Sequence, residues 1–331
     1  MINKLYSKVK QFIIENIAYI IILISLVTVF NLPVPYYIET SGGIINLEDK
    51  IIVNNNYKSK GTFNLTYVSQ MEGNVLSYLV SKFNDEWDLV KKETSDSKLD
   101  ENKTFRNKIL LDNSLNNALF VAYTSLNKEI NIKNSNIYVL YIDEFANTDL
   151  KVGDIIKEVN NIKLNSINDY KEVLKNSKIG DILKLKVLNN KKEYERYVEV
   201  RSSNGGKSTY IYIVCNYLYD VSDVIFNFDK NESGSSGGFM IALSIYDSLT
   251  PTDLTKGLTI AGTGTIDIDG NVGEIDGIKY KIKGAVNNNA DVFLVPVNNY
   301  EEAVKEVDKN NYDIKLIKIK TFNDAIKYLS E

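Results

Sequence analysis

The sequence predicts an α+β protein, α/β-like in its last third, made of an N-terminal transmembrane helix, a β-rich module and a C-terminal domain of alternating strands and helices. Three observations carry this. Residues 16–38 contain no charged side chain. Residues 136–200 are dense in β-branched and aromatic residues, punctuated by Asn-Asn and Gly-Asp turn signals. From residue 208 onward, strand-like and helix-like patterns alternate. With 331 residues, 44% of them hydrophobic and 25% charged, the chain can bury two or three cores.

With Phe12, Ile13 and Ile14 added to the apolar run, about 20 residues can be helical, enough to cross a bilayer. Lys4, Lys8 and Lys10 keep a tail of residues 1–11 in the cytoplasm, so everything beyond the anchor at 12–31 is expected outside the cell membrane. A cleaved signal peptide is the rival reading. No small-x-small site follows the run, where Asn31-Leu32-Pro33-Val34-Pro35 stands, and a retained anchor is expected. Residues 36–133 read as a β/helical region packing with the C-terminal domain: strand patterns at 51–53 and 61–68, then helical spacing at 75–83 and 105–126. The polar run 91–103 between them is expected to be an exposed connection.

Residues 134–202 form the β-rich module. Ile137, Tyr138, Val139 and Leu140 open its first strand, Val152-Gly153-Asp154-Ile155-Ile156 leads into the next, and a short helix covers 170–174. This arrangement resembles a PDZ domain in its bacterial form. The resemblance implies a groove between the strand at 137–140 and the helix around 169–174, taking an extended peptide as an added strand. Ser202-Ser203-Asn204-Gly205-Gly206-Lys207-Ser208 reads as a closing hairpin. Its Gly-Gly-Lys-Ser is no phosphate loop, because the first Gly of that motif would fall on Arg201.

Composition excludes several chemistries. The chain has no His and a single Cys, Cys215, which removes the Ser-His-Asp triad, the Cys-His dyad and nearly every zinc site. Asp267, Asp269 and Asp276 are explained by turn and helix-start chemistry, so no metal is expected. A net charge of -4 without a basic stripe argues against a nucleic-acid partner. The remaining cluster is the stretch 231–240, Asn-Glu-Ser-Gly-Ser-Ser-Gly-Gly-Phe-Met, which runs into an apolar helical pattern. Hydroxyls at a helix N-terminus sit among unpaired N–H groups that favour an oxyanion. A capped, flexible Ser/Gly loop is the plainer alternative. Without His, a serine base must be a lysine held neutral. Around 277–286, helical geometry leaves Lys279 and Lys281 on either side of the apolar face and does not choose between them.

Gly234-Ser235-Ser236-Gly237-Gly238, Thr259 to Ile266 with Gly262-Thr263-Gly264, Gly270-Asn271-Val272-Gly273 through Gly277-Ile278-Lys279-Tyr280-Lys281, and Val292-Phe293-Leu294-Val295-Pro296 follow one another in the order of the proteolytic domain of Lon proteases. With the anchor, Pro35-Tyr36-Tyr37-Ile38 and the PDZ-like module, the whole chain resembles the membrane-anchored PDZ-plus-Lon-type serine peptidases of Gram-positive bacteria. The resemblance implies a Lon-type domain over 208–331 with Ser236 as nucleophile, Lys281 as base, Thr263 holding the amine, and N–H groups near Ser236 and Gly237 receiving the oxyanion. It implies protein or peptide substrates and no cofactor, and the ring-forming relatives leave a homo-oligomer open. No room remains for an ATPase module, so ATP independence is expected. Ser235 and Gly237 replace the usual Pro and Ala, which keeps Ser235 as a rival nucleophile and a silent PDZ-containing adaptor as the alternative function.

Overall fold

The computed structural model describes residues 2–84, 86–92, 97–229, 232 and 234–331, and side chains among them other than those of 2–5 and 97–101. Asn231 and Ser233 of the Ser/Gly stretch, and residues 93–96 of the expected connection, lie outside the described residues. The chain separates into two compact units, residues 1–42 with 68–95, and residues 43–67 with 96–331.

The first unit opens with helices α1 (Ile2–Glu15) and α2 (Ile17–Phe30). They meet at an angle of 75°, so the single helix expected over 12–31 is broken at Asn16. The Asn16 amide donates to Phe12 O at 2.8 Å, the kind of local side-chain bond that competes with helix propagation. Among the described residues no single helix is long and apolar enough to cross a membrane, whereas this bent pair passes on length and composition. Strands β1 (Pro33–Asn46), β2 (Ile51–Val53) and β3 (Thr62–Asn74), helix α3 (Val75–Ser81) and strand β4 (Asp88–Lys91) follow. Within the first unit β4 pairs antiparallel with β1, from Tyr36 opposite Lys91 to Glu39 opposite Asp88. A capping box between Asn74 and Ser77 starts α3.

The second unit takes in residues 43–67, with β2 and the first half of β3, and resumes with the long helix α4 (Ser97–Ser125). Residues 97–103, expected to be a connection, are its first turns; Lys, Leu and Glu there are strong helix formers. Then come β5 (Ile132–Ile142), β6 (Ile155–Val159), β7 (Ile162–Lys163), α5 (Ile167–Asn176), β8 (Ile182–Asn189), β9 (Lys192–Glu199), the hairpin β10 (Arg201–Ser203) and β11 (Gly206–Ser208), and β12 (Ile211–Tyr219). The sheet order is β12-β5-β6-β8-β9, with a core of Ile137, Val139, Ile156, Leu185 and Val187 closed by Tyr170 of α5. The sequence reading needs two corrections here. β12, placed by sequence in the C-terminal domain, completes this sheet, so the module does not end at residue 202. Ile137 and Tyr138 lie between β6 and β12, Val139 is bonded to Gly153 and Asp154 on one side and paired with β12 on the other, and Leu140 sits at a register break, so residues 137–139 offer no open edge. The sheet edge beside α5 is β12, whose Cys215 is buried in the same core.

The remainder supplies β13 (Val224–Phe226), α6 (Gly238–Leu249), β14 (Thr259–Gly262), β15 (Thr265–Ile266), β16 (Val272–Gly273), α7 (Ile278–Asn287), β17 (Val292–Pro296), α8 (Tyr300–Asn310), β18 (Lys315–Ile319) and α9 (Phe322–Ser330). β3, β14, β17 and β18 are neighbours in one parallel sheet. Its inner strands are apolar on both faces, as a doubly covered parallel sheet requires. Ile260, Val292 and Leu294 face a cluster with Phe239, Leu243, Leu119 and Phe322, from α6, α4 and α9. Ala261, Phe293 and Val295 face the other way, onto Ile278, Ile282 and Ala303 of α7 and α8.

Asp247, near the end of α6, is buried and holds the following loop: its Oδ1 accepts from Leu254 N at 2.7 Å, and its Oδ2 accepts from the Ser59 hydroxyl. Asp247→Ala leaves the buried Leu254 N–H and the half-buried Ser59 hydroxyl unpaired and is expected to cost about 2 kcal/mol. Asp247→Asn keeps an acceptor for Leu254 and should cost less; urea unfolding followed by circular dichroism measures both.

Candidate active site

Ser236 sits two residues ahead of α6, on a turn whose carbonyls are fixed from two sides. Ser235 O accepts from Gly238 N at 3.3 Å and from the Ser114 hydroxyl of α4 at 3.2 Å. Ser236 O accepts from Gly264 N at 2.8 Å and from Thr263 Oγ1 at 3.0 Å. Gly234 N donates to Asn107 O, again on α4, at 3.3 Å. The helix begins at Gly238 with no side-chain cap on Gly237, and among the described residues neither Ser236 N–H nor Gly237 N–H has a backbone acceptor. These are the donors that a helix N-terminus leaves available for an anion.

Lys281 reaches this turn from the other face of the sheet. Gly277, at φ 73°, turns the chain into α7 in the left-handed region that glycine tolerates. Lys281 then falls on the buried side of α7, with only 4% of its surface exposed. Its Nζ lies 3.0 Å from Ser236 Oγ and 3.0 Å from Thr263 Oγ1. Burial pushes the amine down from 10.5 to about 8, an effect that the charge of Asp276 partly opposes. Thr263, fully buried just past the end of β14, fixes the direction of the amine. Its hydroxyl proton goes to Ser236 O, so its oxygen can only accept from Lys281. When the amine is neutral, the lone pair is left for the Ser236 hydroxyl.

The structure thus brings Ser236, Lys281 and Thr263 together beside Gly237, and it turns one rival, Lys279, elsewhere. Lys279 lies half-buried over the Tyr280 ring, its Nζ 4.7 Å from the centroid. Ser235 contributes its carbonyl to the turn. The Asp267 carboxylate accepts from Asp269 N and Asn271 N at 3.0 and 2.8 Å, the turn role expected of it. Among the described residues no three His, Cys, Asp or Glu side chains are placed to hold a metal ion. Sequence reasoning missed the contribution of α4. Its only trace in the sequence is the polar cluster Asn113, Ser114, Asn116 and Asn117 in a helix that is otherwise apolar on that stretch. A cleft of about 920 Å³ also opens along α4, lined by Lys108, Leu111, Tyr138, Phe226, Phe228 and Glu232 among others.

Burying an amine that prefers to be charged has a measurable cost. The folded-state pKa of Lys281 is lowered, so its contribution to stability is full above the unfolded value of 10.5 and is lost as pH falls through about 8. Lys281→Met keeps the volume without the charge. At pH 7 it should be more stable than the parent by on the order of 2 kcal/mol after the lost hydrogen bonds are counted. The gain should shrink as pH rises toward 10.5; thermal melting across this range checks it.

Residues 118–200 match the family model of a PDZ domain, and residues 229–330 match that of the Lon protease (S16) C-terminal proteolytic domain. No curated protein matches the chain. Among solved structures, the PDZ domain of the SdrC-like protein from Listeria monocytogenes is 18% identical over 25% of this chain and 93% of that one, with a TM-score of 0.23. Its counterpart from Listeria innocua is 21% identical over 26% and 96%, with a TM-score of 0.20. The solution structure of the second domain of a listeria protein is 23% identical over 26% and 85%, with a TM-score of 0.21. The two matches cover successive segments of the chain, which therefore carries a PDZ domain followed by a Lon-type C-terminal proteolytic domain.

Proposed function

We propose that this protein is an ATP-independent, membrane-anchored serine endopeptidase working through a Ser236/Lys281 dyad on extracytoplasmic or membrane proteins. The observation that carries it is a buried lysine amine within hydrogen-bond reach of one serine hydroxyl, with a threonine to orient it. Ser236 Oγ attacks the scissile carbonyl while Lys281 Nζ takes its proton. The N–H groups of Ser236 and Gly237 receive the oxyanion, and Lys281 returns the proton to the leaving amine. Water then repeats the sequence on the acyl-serine. The cleft along α4 is open to an extended polypeptide with apolar side chains, given Leu111, Phe226 and Phe228 in its lining. In the PDZ module a peptide strand would add at the edge of β12 beside α5, and not at 137–140.

The anchor is the bent helix pair. α2 buries none of its side chains although it is apolar all round, so it needs apolar surroundings. At 14 residues it spans about 21 Å, short of a hydrocarbon core of about 30 Å, so α2 has to enter the bilayer together with the apolar end of α1 and the residues after Phe30. The catalytic part is then outside, and protease added to wall-less intact cells should digest it; protection would place it in the cytoplasm.

The decisive comparison is cleavage of fluorescein-labelled casein by the parent and by Ser236→Ala. Equal, negligible cleavage by both would leave the adaptor reading in place. The dyad further requires Lys281→Arg to be inactive, because a guanidinium stays protonated. Ser235→Ala and Lys279→Ala should keep most of the activity. Only the neutral amine is a base, so the rate should fall about tenfold per pH unit below the pKa of about 8 and level off above it. A profile flat from pH 6 to 9 would remove Lys281 as the base.

A further inference from the structure

We infer that Ser114, on α4 and outside the proteolytic domain's own segment, is a positioning residue that aims the oxyanion donor of Ser236; the inference rests on Ser236 being the nucleophile. Ser114 is 3% exposed, and its hydroxyl donates to Ser235 O at 3.2 Å. That carbonyl and the N–H of Ser236 belong to one planar trans peptide, in which C=O and N–H point in opposite directions. Holding Ser235 O toward α4 therefore holds Ser236 N–H away from α4, on the side where it has no backbone acceptor among the described residues. The next peptide is fixed in the same way, Ser236 O being held by Gly264 N and Thr263 Oγ1, which turns Gly237 N–H outward from them.

The packing shows that the site is built around this hydroxyl. A Cβ on Gly238 would lie 2.4 Å from Ser114 Oγ and 2.9 Å from Ile266 Cγ2, so any larger residue there displaces the hydroxyl or the helix start. Gly238 N and the Ser114 hydroxyl converge on the same oxygen, Ser235 O. Of these two bonds, the one from Gly238 belongs to the turn itself. The one from Ser114 ties the turn to a separate helix and sets its rotation.

The test compares Ser114→Ala with the parent and with Ser236→Ala, using labelled casein and a leucine boronate dipeptide as a tetrahedral mimic. A misaimed donor weakens the transition state and not the substrate complex. In Ser114→Ala kcat should therefore fall about tenfold, less than the loss on deleting an oxyanion donor outright. KM should stay within about twofold, and boronate affinity should fall by the same factor as kcat/KM. The midpoint of the pH profile should not move, since Lys281 is untouched. An unchanged kcat, an unchanged boronate affinity alongside a lower kcat, or a shifted midpoint would each overturn the inference. If Ser114→Ala does not fold, Ser114→Thr and Ser114→Val separate hydroxyl from volume: the Thr form should recover most of kcat relative to Val, and equal activity in the two would overturn it. Parent and Ser236→Ala alike in activity would mean instead that the nucleophile itself is misassigned.

Discussion

The chain is organised around one unfavourable burial, that of the Lys281 amine, whose pKa is pushed down to about 8. In water the ammonium of Lys281 would hold its proton far above neutral pH; here it is enclosed with two hydroxyls and little else within bonding distance. The surrounding architecture provides that enclosure. Ser236 comes from the α6 side of the parallel sheet and Lys281 from the α7 side, and side chains on opposite faces can meet only around the ends of strands. They do so just past the carboxyl end of β14, where the chain leaves the ladder and Thr263 turns into the gap, the place where open α/β sheets generally gather their sites. The doubly covered sheet brings the two helices to one point, and the same cover keeps water from the amine.

α4 extends this arrangement beyond the proteolytic domain. Neighbouring residues of one helix reach the β-rich sheet on one side and the C-terminal domain on the other: Asn113 donates to Cys215 O of β12, Asn116 to Asn216, Ser114 to Ser235 O and Asn117 to Ile266 O. An apolar interface alone would let such a helix rotate or slide. Directional bonds from amides and a hydroxyl permit one register, because each buried polar group left unpaired is costly. Residues of an antiparallel strand direct N–H and C=O to the same side, so Cys215 O, taken by Asn113, marks the edge of β12 that faces away from β5. The edge of β12 that faces away from β5 is thus an edge that α4 touches, one residue along α4 from Ser114, which holds the Ser235 carbonyl.

What was legible in the sequence was what short range determines. The C-terminal alternation, the Ser/Gly helix start and the positions of Ser236, Thr263 and Lys281 follow from local pattern and from resemblance, and the structure brings those side chains together. Helical spacing by itself left Lys279 and Lys281 open; only the tertiary packing of α7 sends one inward and the other onto the Tyr280 ring. The edge of the β-rich sheet was misplaced because a strand's period shows which residues are buried and says nothing of its neighbours. β5 and β12 look equally apolar, and only pairing tells the interior strand from the edge. Ser114 was missed for the same reason: its partner is 121 residues away in sequence. The break at Asn16 lies within an apolar run that composition alone reads as continuous.

The two departures from the Lon pattern then have a physical account in this chain. A Cβ at Gly237, where the resembled pattern has Ala, would lie 3.0 and 3.3 Å from the Cδ atoms of Leu65, so an alanine methyl fits only if this β3 leucine shifts by a few tenths of an ångström. Ser235 stands where the pattern has Pro. A proline ring would fix φ near -65° and stiffen the turn from within, and serine gives up that restraint. Stiffness must then come from outside, and the Ser114 hydroxyl is placed to supply it by holding the carbonyl of the same residue. A loosened turn with no such partner would argue for a decayed site. A loosened turn beside a buried hydroxyl, with a glycine leaving room for it at 238, argues for a turn whose rigidity comes from a neighbouring helix and not from its own backbone.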